Sequence, residues 1–427
     1  MIFNNHKTQF MTPDGILPSF LKERRAFILI TGVLFILILI MEFINNRFLM
    51  NDFQVYYFAA KALVNNSQVY GLVFGGSSVG FYKYSPFALF YFIPLSFLPL
   101  QAAKIIFYIM ISCAISCAFI IAAHIIQNVS KRENTVSNGI LFITFLIASS
   151  QLHRELHLGN VNMILLLLLL LMLKFLLSGK QINAGIIFSI VLFIKPHFII
   201  LVPLFALRKQ YKLLFVTLFG VIIEVFLPVL FVGVSRNFDL HNAWIQTMQA
   251  HNDTLSTYYN TIYSLFILIS NQLHLNIFLF PEKVVVIGLV LFAALIFGWF
   301  CLLNMREEKN MQPPTTGQSI WIEFLILVAL VPNLVNTDTE HFLLSIPLII
   351  YLLGFINKKT PLWFKISVIF SLLLYGINIH DLIGNTLSNL LTVYGVLGIG
   401  NLLIIILTCI GYRMFELKGS TTSLKIE

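Results

Sequence analysis

Apolar runs close to 20 residues long recur from one end of the chain to the other, and a helix of that length covers the hydrocarbon core of a bilayer. Of the 427 residues, 58% are hydrophobic and only 11% are charged, and the mean hydropathy is +0.89. In soluble globular domains about a quarter of the residues are charged, so a soluble protein is excluded. The runs are continuous rather than alternating, which excludes a barrel of strands. The sequence therefore predicts an all-α polytopic membrane protein.

Short basic loops between the runs assign the two sides of the membrane, because lysine and arginine are enriched in cytoplasmic loops. About ten full spans are expected. They cover 26–45, 102–127, 138–151, 160–177, 211–232, 284–304, 320–333, 341–356, 363–379 and 391–412. With the basic loops inside, both termini face the cytoplasm. We expect a cytoplasmic lead over 1–21, a single transmembrane domain over 22–415 and a cytoplasmic tail over 416–427.

The first run, 26–45, follows a basic cluster at 22–25 and is too long for the apolar core of a signal peptide. We interpret it as an uncleaved first span with its N-terminus inside. The formal net charge of +9 comes mostly from the short loops. Topology explains this charge better than a nucleic-acid partner does.

Residues 182–207 break the alternation, since basic loops flank a segment that is long enough for only one span. Lys195-Pro196 lies at its centre, and proline disfavours helix at the residue before it. The pattern favours a re-entrant helical hairpin with Lys195 at its tip. A straight single span, which would invert the topology downstream, is the alternative.

Two long segments fall outside on this topology, at about 46–100 and 235–281. In the first, apolar residues recur at helical spacing, as in a helix that lies in the membrane interface. These residues are Phe53, Tyr56, Tyr57, Ala60, Leu63 and Val64. The first outer loop is therefore expected to carry interfacial helices.

Asp52 opens the first outer segment at the predicted edge of the membrane. A carboxylate there is costly unless it has a function, so Asp52 is interpreted as the catalytic base of a membrane-embedded enzyme. A helix cap is the alternative. Other polar residues gather on the same predicted side, although each taken alone could be a solvated loop residue. They are His153, Arg154, Glu155, His157, Lys195, His197, Asp338, Glu340 and His341.

No cofactor or metal is expected. His153 and His157 are four residues apart but lack an accompanying zinc signature, and no glycine-rich phosphate loop is present. The four cysteines, Cys113, Cys117, Cys301 and Cys409, lie in apolar runs and predict no disulfide. Glu42, Glu224 and Glu323 lie in or beside spans, where coupled transporters place carboxylates, although interhelical hydrogen bonding explains them equally well.

Several motifs resemble glycosyltransferase family 87, which includes polyprenol-phosphate-mannose-dependent α-mannosyltransferases. The N-terminal ones are Asp52-Phe-Gln-Val-Tyr-Tyr-Phe-Ala-Ala-Lys-Ala-Leu63 and the aromatic stretch 81–95. Gly159-Asn-Val-Asn162 is similar to a Gly-Gln-x-Asn element of the family, and 184–196 to an Ala-Gly to Lys-Pro element. Looser similarities follow at 260–265 and 331–341. The resemblance covers about 26–412, and Asn160 departs from the usual Gln.

The resemblance implies a C-type glycosyltransferase fold, a polyprenyl-phosphate-sugar donor and catalysis facing outward from the cytoplasmic (inner) membrane. It implies Asp52 as the base in the transfer of a hexose, with mannose expected, to a lipid or glycan hydroxyl. A direct single displacement would invert the anomeric centre, by analogy with inverting glycosidases. The residues expected to bind the donor are Lys195, Arg154, His341, Tyr56, Lys83, Asn160 and Asn162. Besides donor and acceptor, the lipid bilayer is the expected partner.

Two other classes remain open. A transporter or lipid flippase would use the broken element at Lys195-Pro196 and the intramembrane glutamates, but it predicts repeated halves with matching broken helices. A noncatalytic assembly subunit would tolerate replacement of Asp52 and Lys195.

Overall fold

A computed structural model of the chain describes residues 23–75, 80–130, 136–251, 259–272, 282–310, 319–335, 338–357 and 360–417. Most of them are helical. The helices are α1 (Arg25–Ile44), α2 (Asn51–Val64), α3 (Ile93–Ser96), α4 (Leu100–Val129), α5 (Asn138–Ile147), α6 (Ser149–Leu158), α7 (Asn162–Leu177), α8 (Gln181–Ile194), α9 (Leu201–Leu207), α10 (Tyr211–Phe226), α11 (Val229–Val232), α12 (Val234–His251), α13 (Ile262–Gln272), α14 (Glu282–Asn310), α15 (Ile320–Leu334), α16 (Ile346–Leu353), α17 (Leu362–Gly376), α18 (His380–Val393) and α19 (Val396–Gly411).

Shorter elements connect these helices. Strands β1 (Val73–Phe74) and β2 (Gly80–Phe81) pair antiparallel, with Val73 opposite Phe81. Short 3₁₀ helices cover Phe87–Tyr91, Pro196–Ile200 and Thr339–Ser345, and a π-helix covers Tyr412–Leu417. The predicted lead at 1–21, the basic pairs at 131–132 and 358–359 and most of the tail lie outside the described residues.

Within the described ranges, five helices are long and apolar enough to cross a membrane: α1, α4, α10 with α11, α14, and α19 with its π-helical extension. The count rises to seven if each of two bent helix pairs is one span. Helices satisfy every backbone hydrogen bond internally, which is what the hydrocarbon region requires. The chain is thus an all-α multi-pass membrane protein. The prediction of about ten full spans is not confirmed.

The region predicted as spans 138–151 and 160–177 differs from that expectation. Helix α5 ends at Ile147, and the polar helix α6 then meets α7 at an angle of 111°. The bend falls at Gly159, whose φ of 70° lies in the left-handed region. Apolar composition predicts that a segment is buried, but it carries no information on this angle. A second pair, α17 and α18, bends by 92°.

The hairpin predicted over 182–207 runs out and back. Helix α8 ends at Ile194. Lys195 has extended backbone angles, and Pro196 begins the next helical turn. At the other end, Gln181 Nε2 donates to Gln210 Oε1 at 2.9 Å. Helix α8 is about 20 Å long at 1.5 Å per residue, so a straight segment could not bring these two residues together. Lys195 therefore lies at the tip, as predicted.

A buried ionic network holds the base of this hairpin. Arg208, just after α9, donates to Glu323 on α15 at 2.7 Å and to Glu308 on α14 at 2.7 Å. Asn304 donates to Glu323 at 3.0 Å, and Glu308 accepts the backbone N–H of Ser319 at 2.6 Å. Arg208 is 8% exposed and both glutamates are 2% exposed or less. The network joins the hairpin to α14 and α15.

A second buried network lies where α15 ends. Asn401 on α19 donates to Asn333 Oδ1 at 2.7 Å, and Ser345 donates to Asn401 at 2.5 Å. Asn333, next to Pro332, donates to the backbone oxygen of Asn260 at 2.9 Å. These bonds satisfy polar groups near the proline, which cannot donate one itself. They also anchor the Thr339–Ser345 turn.

Candidate active site

The α2 helix carries Asp52 in its first turn. The N-cap residue is Met50, in the left-handed region with φ of 48° and with no side-chain capping bond. Asp52 is thus not the N-cap. Its half-buried carboxylate instead accepts a hydrogen bond from Asn160 Nδ2 at 2.8 Å. The helix predicted from apolar spacing is present, and most of its residues pack inside the protein, with Val64 40% exposed.

Gly159 allows the α6–α7 turn to approach the start of α2. A Cβ at this position would lie 2.8 Å from Met50 Cε and 2.8 Å from Phe53 Cβ. Its φ of 70° also disfavours any side chain. Only glycine meets both conditions, and the close approach brings the next residue, Asn160, against Asp52.

We expect Gly159→Ala to destabilise the protein by about 2 kcal/mol and to lower its activity, because the added methyl group adds overlap to backbone strain. Gly179→Ala is a matched control, since Gly179 has a φ of 73° and nothing within 4 Å of its Cβ position. Thermal unfolding of both variants in detergent separates the two effects. Equal losses of stability would show that the contact with α2 contributes nothing.

Asn160 connects two carboxylates. Its Nδ2 donates to Asp52 at 2.8 Å and to Glu340 Oε1 at 3.3 Å. Glu340 is completely buried and accepts from Arg154 Nε at 2.7 Å. Arg154 also lies 3.6 Å from Asp338. Arg154 is therefore paired with two acidic side chains beside Asp52.

Asn162 connects a third carboxylate to the hairpin tip. Its Nδ2 donates to Glu155 Oε2 at 2.9 Å, and its Oδ1 accepts from Lys195 Nζ at 2.5 Å. Glu155, completely buried, also accepts the backbone N–H of Met163 at 2.8 Å in the first turn of α7. The unpaired N–H groups and the dipole at a helix N-terminus favour an ionised carboxyl group, but burial outweighs them and raises the pKa of Glu155 to about 8.

Lys195 has neutral hydrogen-bond partners. Besides Asn162, its ammonium lies 2.6 Å from His341 Nε2. An ammonium can only donate, so Nε2 accepts and the proton of a neutral His341 ring lies on Nδ1. Among the described residues, His341 Nδ1 and His197 Nε2 are buried without hydrogen-bond partners. One cation and two imidazoles therefore lie at the tip.

Burial and the negative charge of Asp338 raise the pKa of Asp52 to about 6, and Lys195, Arg154 and Lys83 oppose the rise. The position near a helix N-terminus predicts an ionised carboxylate, and at pH 7 the carboxylate form still predominates. A pKa close to the working pH suits a general base. The positive charge of Lys195 favours the ionised form of Asp52, and the negative charge of Asp52 favours the protonated form of Lys195. The two side chains therefore lie in one electrostatic site.

An aromatic cluster positions Lys83 and Tyr56 beside the site. The hydroxyl groups of Tyr56 and Tyr84 share a hydrogen bond of 2.9 Å. The ring of Tyr56 packs on that of Phe92, with 4.8 Å between the ring centroids. Trp244 on α12 donates to the Lys83 carbonyl at 3.0 Å. Burial lowers the pKa of Lys83 and raises that of Tyr56. The cluster fixes the loop that holds Lys83 near Asp52.

The predicted residues thus fall into two hydrogen-bonded groups on one turn. Asp52, Asn160 and Arg154 surround Glu340, and Asn162 joins Lys195 and His341 to Glu155. The charge of Lys83 opposes the rise in the pKa of Asp52, and Tyr56 contacts Tyr84 in the same loop as Lys83. The sequence indicates Glu155 and Glu340 as outward polar residues but does not indicate their role. Their signal was their position beside Arg154 and His341.

His153 and His157 lie apart from this network. They contact Glu42 near the end of α1, at 3.4 Å and 2.9 Å. In the part of the chain that the structure describes, no group of three or more histidine, cysteine, aspartate or glutamate side chains is arranged to hold a metal. Glu224 accepts from Ser189 at 2.9 Å, and Glu323 pairs with Arg208. Each of the three span-associated glutamates therefore has a polar partner within the fold.

Comparison with known proteins supplies the family. The model of glycosyltransferase family 87 matches residues 81–330, which is more than half of the chain. The match includes Lys83, Arg154, Asn160, Asn162 and Lys195, whereas Asp52 and His341 lie outside it. No curated protein and no solved structure matches. The chain therefore belongs to glycosyltransferase family 87, which makes it a membrane glycosyltransferase.

Proposed function

We propose that the protein transfers a hexose, with mannose the first choice, from a polyprenyl phosphate to a hydroxyl of a lipid or glycan. The observation that carries the proposal is that Asn160 and Asn162, two residues apart on the 159–162 turn, bind Asp52 and Lys195 respectively. A base and a phosphate-binding cation are the two groups that such a transfer needs, and this turn binds a candidate for each.

The proposed reaction is a single displacement. Asp52 takes the proton of the acceptor hydroxyl while that oxygen bonds to the anomeric carbon of the sugar. The bond from that carbon to the phosphate oxygen breaks on the opposite side, so the configuration inverts, as it does when a carboxylate activates the attacking oxygen in inverting glycosidases. The polyprenyl phosphate leaves with the bonding electrons. Asp52 contributes as general base.

Lys195 would bind the phosphate that leaves. Positive charge held in a site that excludes water stabilises developing negative charge more strongly than it does in water. The neutral partners of Lys195 leave its charge available, while Arg154 is paired with Glu340 and Asp338. The Nδ1 proton of His341 and the buried ring of His197 support a phosphate at this tip. Tyr56 and Lys83 stay predicted donor contacts.

The site is proposed to face outward from the cytoplasmic membrane, in a C-type glycosyltransferase fold with about ten spans and a re-entrant hairpin. We expect an impermeant maleimide to label Ser67→Cys, in the first outer loop, in intact cells. Lys209→Cys, at the base of the hairpin, should be labelled only after the cells are opened. Both positions are exposed. Labelling of Lys209→Cys alone in intact cells would invert the proposed topology.

The function is tested with purified protein in lipid nanodiscs and a panel of radiolabelled polyprenyl-phosphate hexoses, using membrane lipids and oligosaccharides as acceptors. We expect transfer from one member of the panel and an inverted linkage in the product. Lys195→Met should weaken binding of farnesyl phosphate, whereas the exposed control Lys212→Met should not. Transfer from nucleotide sugars alone would contradict the proposed donor class.

The pH dependence of transfer follows from Asp52. Its pKa is raised to about 6, and the base acts only when ionised. We therefore expect kcat/KM to fall about tenfold per pH unit below this pKa. An acidic limb near pH 4, where an unperturbed aspartate titrates, would contradict the buried environment described for Asp52. The measurement is the initial rate of transfer from pH 4.5 to 8.5.

A further inference from the structure

We infer that Asn160 and Asn162 are positioning residues with separate tasks. Asn160 is held by Glu340 and orients Asp52, whereas Asn162 is held by Glu155 and orients Lys195. The inference rests on the proposed function for what Asp52 and Lys195 do. It also revises the expected role of both asparagines, because neither would contact the sugar or the phosphate.

The hydrogen-bonding capacity of Asn160 is used inside the protein. One amide group carries two N–H donors and one carbonyl acceptor. Nδ2 is shared between Asp52 at 2.8 Å and Glu340 at 3.3 Å, and Oδ1 accepts from the N–H of Val161 at 2.7 Å. The side chain is 6% exposed. Asn160 therefore holds Oδ2 of Asp52 and leaves Oδ1 to face an acceptor hydroxyl.

Asn162 has the corresponding arrangement two residues later. Its Nδ2 donates to Glu155 and its Oδ1 accepts from Lys195, and the residue is 1% exposed. A buried asparagine whose amide end is fixed by a carboxylate presents its oxygen in one direction. Lys195 is thereby directed toward His341 and away from a direct ion pair with Glu155, which would neutralise it. The cation keeps its charge for an incoming phosphate.

Asn160 also lies between two carboxyl groups, those of Asp52 and Glu340. Asp52 faces Lys83 from the 82–86 loop, Arg154 from α6, Lys195 from the hairpin tip and Asp338 ahead of the Thr339–Ser345 turn. Tyr56 lies on its own helix, and Glu340 reaches it through Asn160. A hydrogen bond to the ionised form of an acid favours that form. Removing the Asn160 amide should therefore favour protonated Asp52.

The test compares Asn160→Leu with Asn162→Leu, which replace each amide by a side chain of similar size. Asn160→Leu should lower kcat about 100-fold, because a base displaced by about 1 Å loses that much. It should leave the KM for the donor within about threefold and move the acidic limb to higher pH. Asn162→Leu should raise that KM about tenfold with the acidic limb unmoved. Asn160→Gln should recover part of the kcat, since it keeps an amide.

Two readouts do not need transfer. Farnesyl phosphate, a short polyprenyl monophosphate, should bind about tenfold more weakly to Asn162→Leu and about equally to Asn160→Leu. Infrared titration of the carboxyl band that is lost in Asp52→Asn should shift to higher pH in Asn160→Leu alone. If the wild type transfers no hexose at all, the proposed function fails while these two measurements still decide the positioning roles.

Asn389→Leu, at an exposed position on α18, is the control for the substitution itself. If either leucine variant fails to fold by gel filtration and thermal unfolding, the smaller Asn160→Ser and Asn162→Ser replace it. Equal losses of kcat in the two variants, with one acidic limb and one farnesyl-phosphate affinity throughout, would overturn separate roles. So would variants that behave like wild type.

Discussion

Asp52→Asn is expected to lower kcat about 1000-fold, within the range of general-base contributions. An amide cannot take the proton of the acceptor hydroxyl, whereas its oxygen can still accept from Asn160 Nδ2. The bond that Asn160 makes at 2.8 Å is thus retained, and the fold has no reason to change. The measurement is single-turnover transfer with the donor identified in the panel, together with thermal unfolding.

The matched control is Asp381→Asn, because the Asp381 side chain is 98% exposed on α18. It should transfer at the wild-type rate. Binding of farnesyl phosphate to Asp52→Asn should stay within about twofold of wild type, since the base is not a phosphate ligand in this account. Full activity of Asp52→Asn would remove the main support for the mechanism. Loss of activity accompanied by unfolding would instead make Asp52 a structural residue.

Arg208→Met is expected to cause the largest loss of stability. It leaves Glu308 and Glu323 buried, 2% and 0% exposed, without their counter-charge. Breaking a buried ion pair by removing one partner costs about 3–5 kcal/mol. A titration of unfolding in mixed micelles measures the free energy, and the midpoint should fall well below that of the wild type.

Two further variants test whether the loss of stability comes from the uncompensated buried carboxylates. Lys209→Met changes the neighbouring, exposed lysine and should be neutral, since exposed charges contribute about 1 kcal/mol or less. The triple variant Arg208→Met, Glu308→Gln and Glu323→Gln should recover most of the stability, because no uncompensated charge remains. A triple variant less stable than Arg208→Met alone would show that the carboxylates stabilise the fold by some other contact.

The sequence predicted the helical membrane class and the hairpin for simple physical reasons. Long apolar runs can only be helices in a bilayer, and a proline after Lys195 between two basic loops leaves few paths for the chain. The number of full spans did not follow, since α5 ends at Ile147 and α6 turns away from α7 at Gly159. Such angles depend on contacts such as that of Gly159 with Met50 and Phe53.

The candidate site was predictable in its members and less so in their connections. Asp52, Lys195 and His341 attract attention because ionisable groups are costly beside apolar runs. The pairing of Asn160 with Glu340, and of Asn162 with Glu155, joins residues up to 180 positions apart. Spacing along the chain contains no information on such pairs, so the sequence does not predict the roles of the two buried glutamates.

The central claim is that Asp52 and Lys195 act on one substrate. Its most direct test is an experimental structure, by cryo-electron microscopy in nanodiscs, with a bound polyprenyl phosphate. We expect the phosphate at hydrogen-bonding distance from Lys195 Nζ and His341 Nδ1, with Asp52 facing the same space. A phosphate bound elsewhere, or a wall of protein between the Asp52 carboxylate and the lysine, would contradict the account.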